Sequence, residues 1–389
     1  MDDLHLLSLA QTYGTPLYVT DLVPIRQKYE VLKEAFNKYM PTKVLYAMKA
    51  NFNPALLAML RDMGSWIDAT SLGEVEFALR VGFPAARISF TPANASLNDL
   101  RLIKGMGVNV VVMDSLQMIQ DYSYLGGDRI GLRLNPGISA GHSQQVMTGS
   151  RGSKFGISPE EFDDVAFALS PLRLVGLHAH IGSGIKETQP YEMLVSFLKE
   201  KIDRLGKTLE FVDIGGGYDF DDERLFERVA AKAADTLGDS AQELRVEPGR
   251  YLVKTSSVLL TRVNQIKEAG NKQYVGVDAG MNALIRPALY GAVHPIDLLG
   301  REGKLEEFDV VGPICENTDF LGKNVKMARP RPGDVLAIRD VGAYGYSMSS
   351  NYNLRPRPSE LVLDGKIPVF YKPAETIDDI FKPYEGIRS

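Results

Sequence analysis

A chain of 389 residues holds one large domain or two ordinary ones, and a hydrophobic fraction of 44% is enough for a sizeable core. A formal charge of -5, with Lys and Arg scattered along the chain, argues against a nucleic-acid surface or a polybasic membrane patch. The one cysteine, Cys315, rules out an intrachain disulfide framework and a multi-cysteine metal site, and the five histidines form no HExxH-type pair, so no metal is expected.

The start, Met1-Asp2-Asp3-Leu4-His5, is acidic where a secretory signal is basic and then apolar. No apolar run approaches the roughly 20 residues of a membrane helix. A cytoplasmic protein without a membrane partner is expected. Thr15-Pro16-Leu17-Tyr18-Val19 can add a strand to a later sheet. From about Pro24 to Arg250, short apolar runs alternate with amphipathic stretches. Residues 44–47, 66–69, 87–90, 109–113, 130–134, 174–178, 211–214 and 244–246 read as strands. The stretches between them, such as 53–63, 71–81 and 98–106, carry apolar residues at helical spacing. Eight unbroken alternations predict an α/β fold closed into a (β/α)8 TIM-like barrel rather than an open sheet. After about Tyr251, residues 256–266, 273–277, 309–311 and 334–338 read as strands and turn residues thicken. The predicted organisation is a barrel over 22–255 and a mostly β C-terminal domain over 256–389, joined by 1–21.

Several strands end on reactive residues. Val44-Leu45-Tyr46-Ala47-Met48-Lys49 is a buried-strand run ending on a lysine, and a partly desolvated lysine is a nucleophilic amine able to form a Schiff base. Alone, the same run better describes a lysine that snorkels into water, and the rest of the chain reverses that preference. Asp68, His178-Ala179-His180, Asp213 and Glu247 close other strands in the same way. The two histidines share a face only if their strand runs through His180; if it ends near His178 their directions diverge. Asp213-Ile214-Gly215-Gly216-Gly217 lets backbone N–H groups approach an anion, a phosphate above all, or is a plain turn. In Glu247-Pro248-Gly249-Arg250 a carboxylate facing a pyridine ring keeps the ring nitrogen protonated, and Arg250 offers a bidentate clamp. The second half supplies Arg286-Pro287-Ala288-Leu289-Tyr290, Cys315-Glu316-Asn317-Thr318-Asp319 and Gly342-Ala343-Tyr344-Gly345. Set beside two acids in a punctuated loop, Cys315 suits a proton donor better than a core position.

Taken together and in order, these motifs resemble the fold-type III pyridoxal-phosphate decarboxylases, most closely the diaminopimelate decarboxylases. His142, Thr148-Gly149, Ser153-Lys154-Phe155-Gly156, Met348-Ser349-Ser350-Asn351-Tyr352-Asn353 and Arg355-Pro356-Arg357-Pro358 add to the likeness. The resemblance implies an alanine racemase-like barrel, pyridoxal 5'-phosphate as cofactor, and decarboxylation of meso-diaminopimelate to L-lysine. It implies that Lys49 holds the cofactor, His180 stacks on its ring, Glu247 faces its nitrogen, and Ser183, Gly217, Gly249 and Arg250 hold its phosphate. It assigns the substrate to Arg250, Arg286, Tyr290, Glu316 and Tyr344, with Tyr344 also near the cofactor. Cys315 becomes the acid that reprotonates Cα, acting with Glu316 on the Lys49 of a partner in a homodimer. One departure bears on substrate identity. Where the family is expected to read Cys-Glu-Ser-Gly-Asp, this chain has Cys315-Glu316-Asn317-Thr318-Asp319, and a β-branched residue replaces a glycine. Relatives that act on ornithine, lysine, carboxynorspermidine or carrier-linked glutamyl groups set the alternatives. A non-catalytic cofactor-binding homologue is a further one.

Overall fold

The computed structural model describes residues 1–138, 140–141, 149–150, 152–167, 169, 172–384 and 386. It divides into two compact units, one of residues 26–252 and one of 1–25 with 253–389. Helix α1 (Asp3–Tyr13) and strand β1 (Leu17–Asp21) belong to the second unit, and α2 (Leu22–Asn37) spans the boundary.

The first unit is a closed parallel barrel of eight strands, in chain order. They are β2 (Thr42–Ala47), β3 (Trp66–Ala69), β4 (Ile88–Phe90), β5 (Val110–Met113), β6 (Arg129–Arg133), β7 (Arg173–His178), β8 (Leu209–Asp213) and β9 (Ala241–Val246). Closure is made by β2 against β9, with Val44 opposite Val246. All eight expected strands are present, each within three residues of its expected bounds.

The helices between them start where short polar side chains can satisfy free backbone N–H groups. Asn53 caps α3 (Pro54–Asp62), Ser71 caps α4 (Leu72–Val81), and Ser96 with Asp99 forms a capping box on α5 (Leu97–Met106). Ser115 caps α6 (Leu116–Tyr124), and α7 (Phe162–Phe167), α8 (Gln189–Leu205) and α9 (Arg224–Leu237) follow. Inside the barrel the Phe211 ring packs with Val110, Val112 and Val175. Gly176 makes this possible, since a Cβ there would lie 2.3 Å from the ring. The arginine of β9, Arg245, stacks its guanidinium 3.7 Å from the centre of the same ring.

The second unit is a nine-stranded sheet among the described residues. Its strands besides β1 are β10 (Ser257–Ala269), β11 (Lys272–Val277), β12 (Ile296–Leu298), β13 (Leu305–Val311), β14 (Phe320–Ala328), β15 (Val335–Ile338), β16 (Ser359–Asp364) and β17 (Ile367–Lys372). The expected first strand takes an inner place, antiparallel to β10 and parallel to β16. Leu6, Leu9, Leu17, Val19, Leu260, Leu361 and Leu363 form the core beneath it. No helix among the described residues is long and apolar enough to cross a membrane.

Candidate active site

The chemistry gathers at the carboxyl ends of the barrel strands. β2 ends at Ala47, and Lys49 sits two residues on, in a 3-10 turn (Met48–Ala50) closed by the bond from Asn51 N–H to Met48 O. The Tyr46 hydroxyl donates to Asn51 O, and Asn51 Oδ1 accepts from Asn53 N, so the turn is tied to the cap of α3. Lys49 Nζ donates to Asp68 Oδ2 of β3 at 2.5 Å. Asp68 is buried, and burial raises its carboxyl; the charge of Glu247 adds to that shift and Lys49 opposes it.

Adjacent strands bring the other groups into register. Arg133 of β6 lies opposite His178 of β7, which lies opposite Asp213 of β8. Glu247 follows β9 directly, its N–H bonded to Gly215 O. His178 Nε2 is 3.3 Å from Glu247 Oε1, within ion-pairing reach but without hydrogen-bond geometry. Burial opposes the charge on Glu247, yet the facing His178 imidazole together with Lys49 and His180 outweighs it and holds the carboxyl at about 2. His178 shows the mirror effect: burial disfavours its charge, and Glu247 raises it above its ordinary value. Arg133, buried over the Phe155 ring at 4.7 Å, is lowered by burial and raised by Glu247, Asp114, Asp68 and Asp213. His178, Asp213 and Glu247 present ligand atoms within 4.8 Å of one another, a spacing open to a cation as well as to ion pairing.

β7 ends at His178, so the two histidines diverge. His180 turns to the glycine run, where its Nδ1 accepts from Gly216 N at 3.2 Å. Burial pushes this imidazole down to about 3, leaving it neutral, with the remaining proton on Nε2. The glycines are required by close approach. A Cβ on Gly217, at φ +93°, would sit 2.1 Å from Gly182 O, and one on Gly216 1.9 Å from Glu247 O. The N–H groups of Gly184 and Ile185 both donate to Gly217 O, zipping the two loops together. A Cβ on Gly249 would crowd the Cβ atoms of Ala50 and Ala47 at 3.1 and 3.2 Å, and Arg250, the first residue of α10 (Arg250–Val253), donates from Nε to Ser183 Oγ at 3.0 Å. Ser183, Gly217, Gly249 and Arg250 therefore share one end of the barrel. The Arg250 side chain, expected as a carboxylate clamp, here reaches Ser183.

The remaining expected residues lie in the sheet unit. Arg286 opens α11 (Arg286–Tyr290), is buried, and donates from Nη1 to Ala343 O. Next to it in that contact stands Tyr344, held in the left-handed region at φ +59°, a strain that collects at functional positions. Tyr290 is half-buried; Cys315 and Glu316 are exposed, in the loop between β13 and β14. Thr318 lies outside the positive-φ region, so the loop accepts a β-branched residue where a glycine was expected. His142 and Thr148 lie outside the described residues.

Asp68 and Asp213 stood out in the sequence as strand ends but drew no role there, and Arg133 was passed over. A charged residue closing the apolar run Ile130-Gly131-Leu132 is the signal that finds it. Burial, with Glu247 beside it, pushes Asp213 up to about 7. A raised acid holds its proton more tightly folded than unfolded, so it costs stability as pH climbs from about 3.8 to about 7. For Asp213→Asn, thermal midpoints measured without added cofactor are expected to fall less between pH 4 and 7.5 than those of the parent. Parallel curves would rule that out.

This arrangement suits a carbonyl cofactor carrying a ring nitrogen and a phosphate. Glu247 Oε1 is buried without a hydrogen-bond donor, which a protonated ring nitrogen supplies, and glycine-rich loops that bring backbone N–H groups close together are the kind that bind a phosphate. The chain belongs to the pyridoxal-dependent decarboxylases, whose pyridoxal-binding domain is matched over residues 22–254. Within that family its relatives carry a more particular name. The diaminopimelate decarboxylase of Methanothermobacter thermautotrophicus is 40% identical over 97% of this chain and 93% of its own. The crystal structure of diaminopimelate decarboxylase from Helicobacter pylori complexed with L-lysine superimposes with a TM-score of 0.90 at 32% identity, covering 98% of this chain and 99% of that one. A lysine/ornithine decarboxylase from Vibrio vulnificus, at 23% identity, TM-score 0.81 and coverage of 93% and 98%, shares the fold.

Proposed function

We propose that this chain decarboxylates meso-2,6-diaminopimelate to L-lysine and CO2, the last step of lysine biosynthesis, with pyridoxal 5'-phosphate as cofactor. The observation that carries the chemistry is the buried pair of Glu247 and His178 facing the same strand ends as Lys49 and Asp68. When bound, the cofactor supplies an electron sink for the pair left behind by CO2.

The chain's own residues supply position and charge. In this reading Lys49 is the amine that holds the cofactor and gives it up to the substrate amine. Asp68 steadies that amine and takes part in its proton balance. Glu247 stays ionised and keeps the ring nitrogen protonated; neutral His180 stacks on the ring without repelling it. Ser183, Gly217, Gly249 and Arg250 hold the phosphate, with Tyr344 beside the cofactor. Arg250, Arg286, Tyr290, Glu316 and Tyr344 divide the substrate's carboxylates and far amine between them, and Cys315 returns a proton to Cα.

The cytoplasmic location and the homodimer belong to the same proposal. Residues 315–318 are all exposed in the single chain, which fits a loop that serves the Lys49 of a second copy.

The test is CO2 release by purified, cofactor-loaded protein on meso-diaminopimelate, lysine, ornithine and arginine in parallel. Diaminopimelate is expected to lead by at least about 100-fold in kcat/KM, since sites built to pair a charged group reject substrates lacking it that strongly. A lead by ornithine or lysine would transfer the proposal to a different amino acid and make Asn317-Thr318 its specificity element.

A further inference from the structure

We infer that Asn353 is a positioning residue for the Cys315 thiol, setting its rotamer; this rests on the reading of Cys315 as the proton donor. The cysteine loop is held on two sides by different means. On its inner side the buried Asp319 carboxylate accepts from Met281 N at 2.5 Å and Ile314 N at 2.6 Å, fixing the backbone just before the cysteine. Gly312 is required there, because a Cβ would lie 2.4 Å from Asp319 Oδ2. None of this orients the sulfur.

The outer side is gripped by a dipeptide far along the chain. Asn353 Oδ1 accepts from Cys315 N at 3.2 Å, and Asn353 Nδ2 lies 3.2 Å from Cys315 Sγ. The neighbouring Tyr352 hydroxyl donates to Glu316. Tyr352 also reaches the Cys315 side chain, so the dipeptide 352–353 holds both 315 and 316, and of the two only Asn353 bonds the Cys315 backbone as well. An exposed cysteine otherwise samples several staggered rotamers, and the amide selects among them.

Asn353 and Leu354 are both left-handed, at φ +56° and +52°. Asparagine tolerates that conformation better than most residues, so a purely backbone role must be separated from the amide's role. Two substitutions do so. Asn353→Gly keeps the left-handed backbone and removes the amide. Asn353→Asp keeps an acceptor for Cys315 N–H but places a carboxylate where the donor to sulfur was.

Cys315 is the only cysteine in the chain, so iodoacetamide alkylation of the full-length protein reads this thiol alone. For Asn353→Asp, the pH of half-maximal alkylation is expected to rise by about one unit, as a like charge beside a thiolate requires. With cofactor, kcat is expected to fall about tenfold with KM held within about twofold; Asn353→Gly should move both readouts less, in the same direction. Alkylation profiles of both variants that superimpose on the parent would overturn the inference. A shifted alkylation profile with unchanged turnover would uphold the hold of Asn353 on the thiol and remove Cys315 as proton donor, and full kcat in Cys315→Ser would remove it in the same way.

Discussion

Replacing Lys49 by alanine is expected to lower kcat on the order of 10^4-fold, the upper range for a lost proton-transfer group, because the amine is lost both as cofactor tether and as base. The protein should still fold. The Lys49 side chain is 38% exposed, so its pairing with Asp68 is screened on one side, and Asp68, already raised by burial, can take a proton when its partner goes. The melting temperature is therefore expected to fall by only a few degrees, roughly what a loss of up to 1 kcal/mol gives in a chain of this size. Lys49→Arg should be equally inactive although it keeps the charge beside Asp68, since a guanidinium does not deprotonate in proteins. Two readouts decide the matter: turnover, and the visible absorbance of a lysine-held cofactor. Retention of either in Lys49→Ala would place the tether elsewhere.

The second large effect is at Glu247. Glu247→Gln preserves shape and hydrogen-bonding capacity but removes a charge that its surroundings keep ionised down to about pH 2. A preorganised charge of this kind is worth about 10^2–10^3 in kcat, with little effect on KM, because it acts on the developing charge rather than on substrate binding. Stability should fall as well. A carboxyl held at about 2 has its charge favoured by the fold over that of an unfolded glutamate, so losing the charge costs that stabilisation at neutral pH, offset only in part by relief of the raised Asp68 and Asp213. A lower melting temperature, with turnover down a hundredfold, is the expected combination. Turnover within twofold of the parent would mean that the ring nitrogen is held by another group.

The barrel was legible because its strands are buried on both faces and read as unbroken apolar runs, with capped amphipathic helices between them. The sheet unit was less so. β14 contains Gly322, Lys323 and Asn324, which read as a turn, and β16 follows the proline-rich 355–358. β17 has four exposed residues among its six, so it has no buried face to print an alternation. At the site, strand-end runs drew attention to Lys49, His180 and Glu247, but not to the fact that Arg133, His178 and Asp213 stand side by side. That is a property of strand register, which joins residues far apart in the chain. Whether the two histidines share a face was likewise open until the end of β7 was fixed.

The inner place of β1 has a consequence for the making of the protein. Thr20 pairs with Ser257, 237 residues later, and β1's other neighbour starts at Ser359. At the usual 5–20 residues per second of synthesis, that strand waits on the order of tens of seconds with both edges open, while all eight barrel strands emerge. During that wait it is a short apolar ribbon able to join a neighbouring nascent chain. Its safe folding depends on timing: the first strand made is among the last to be enclosed.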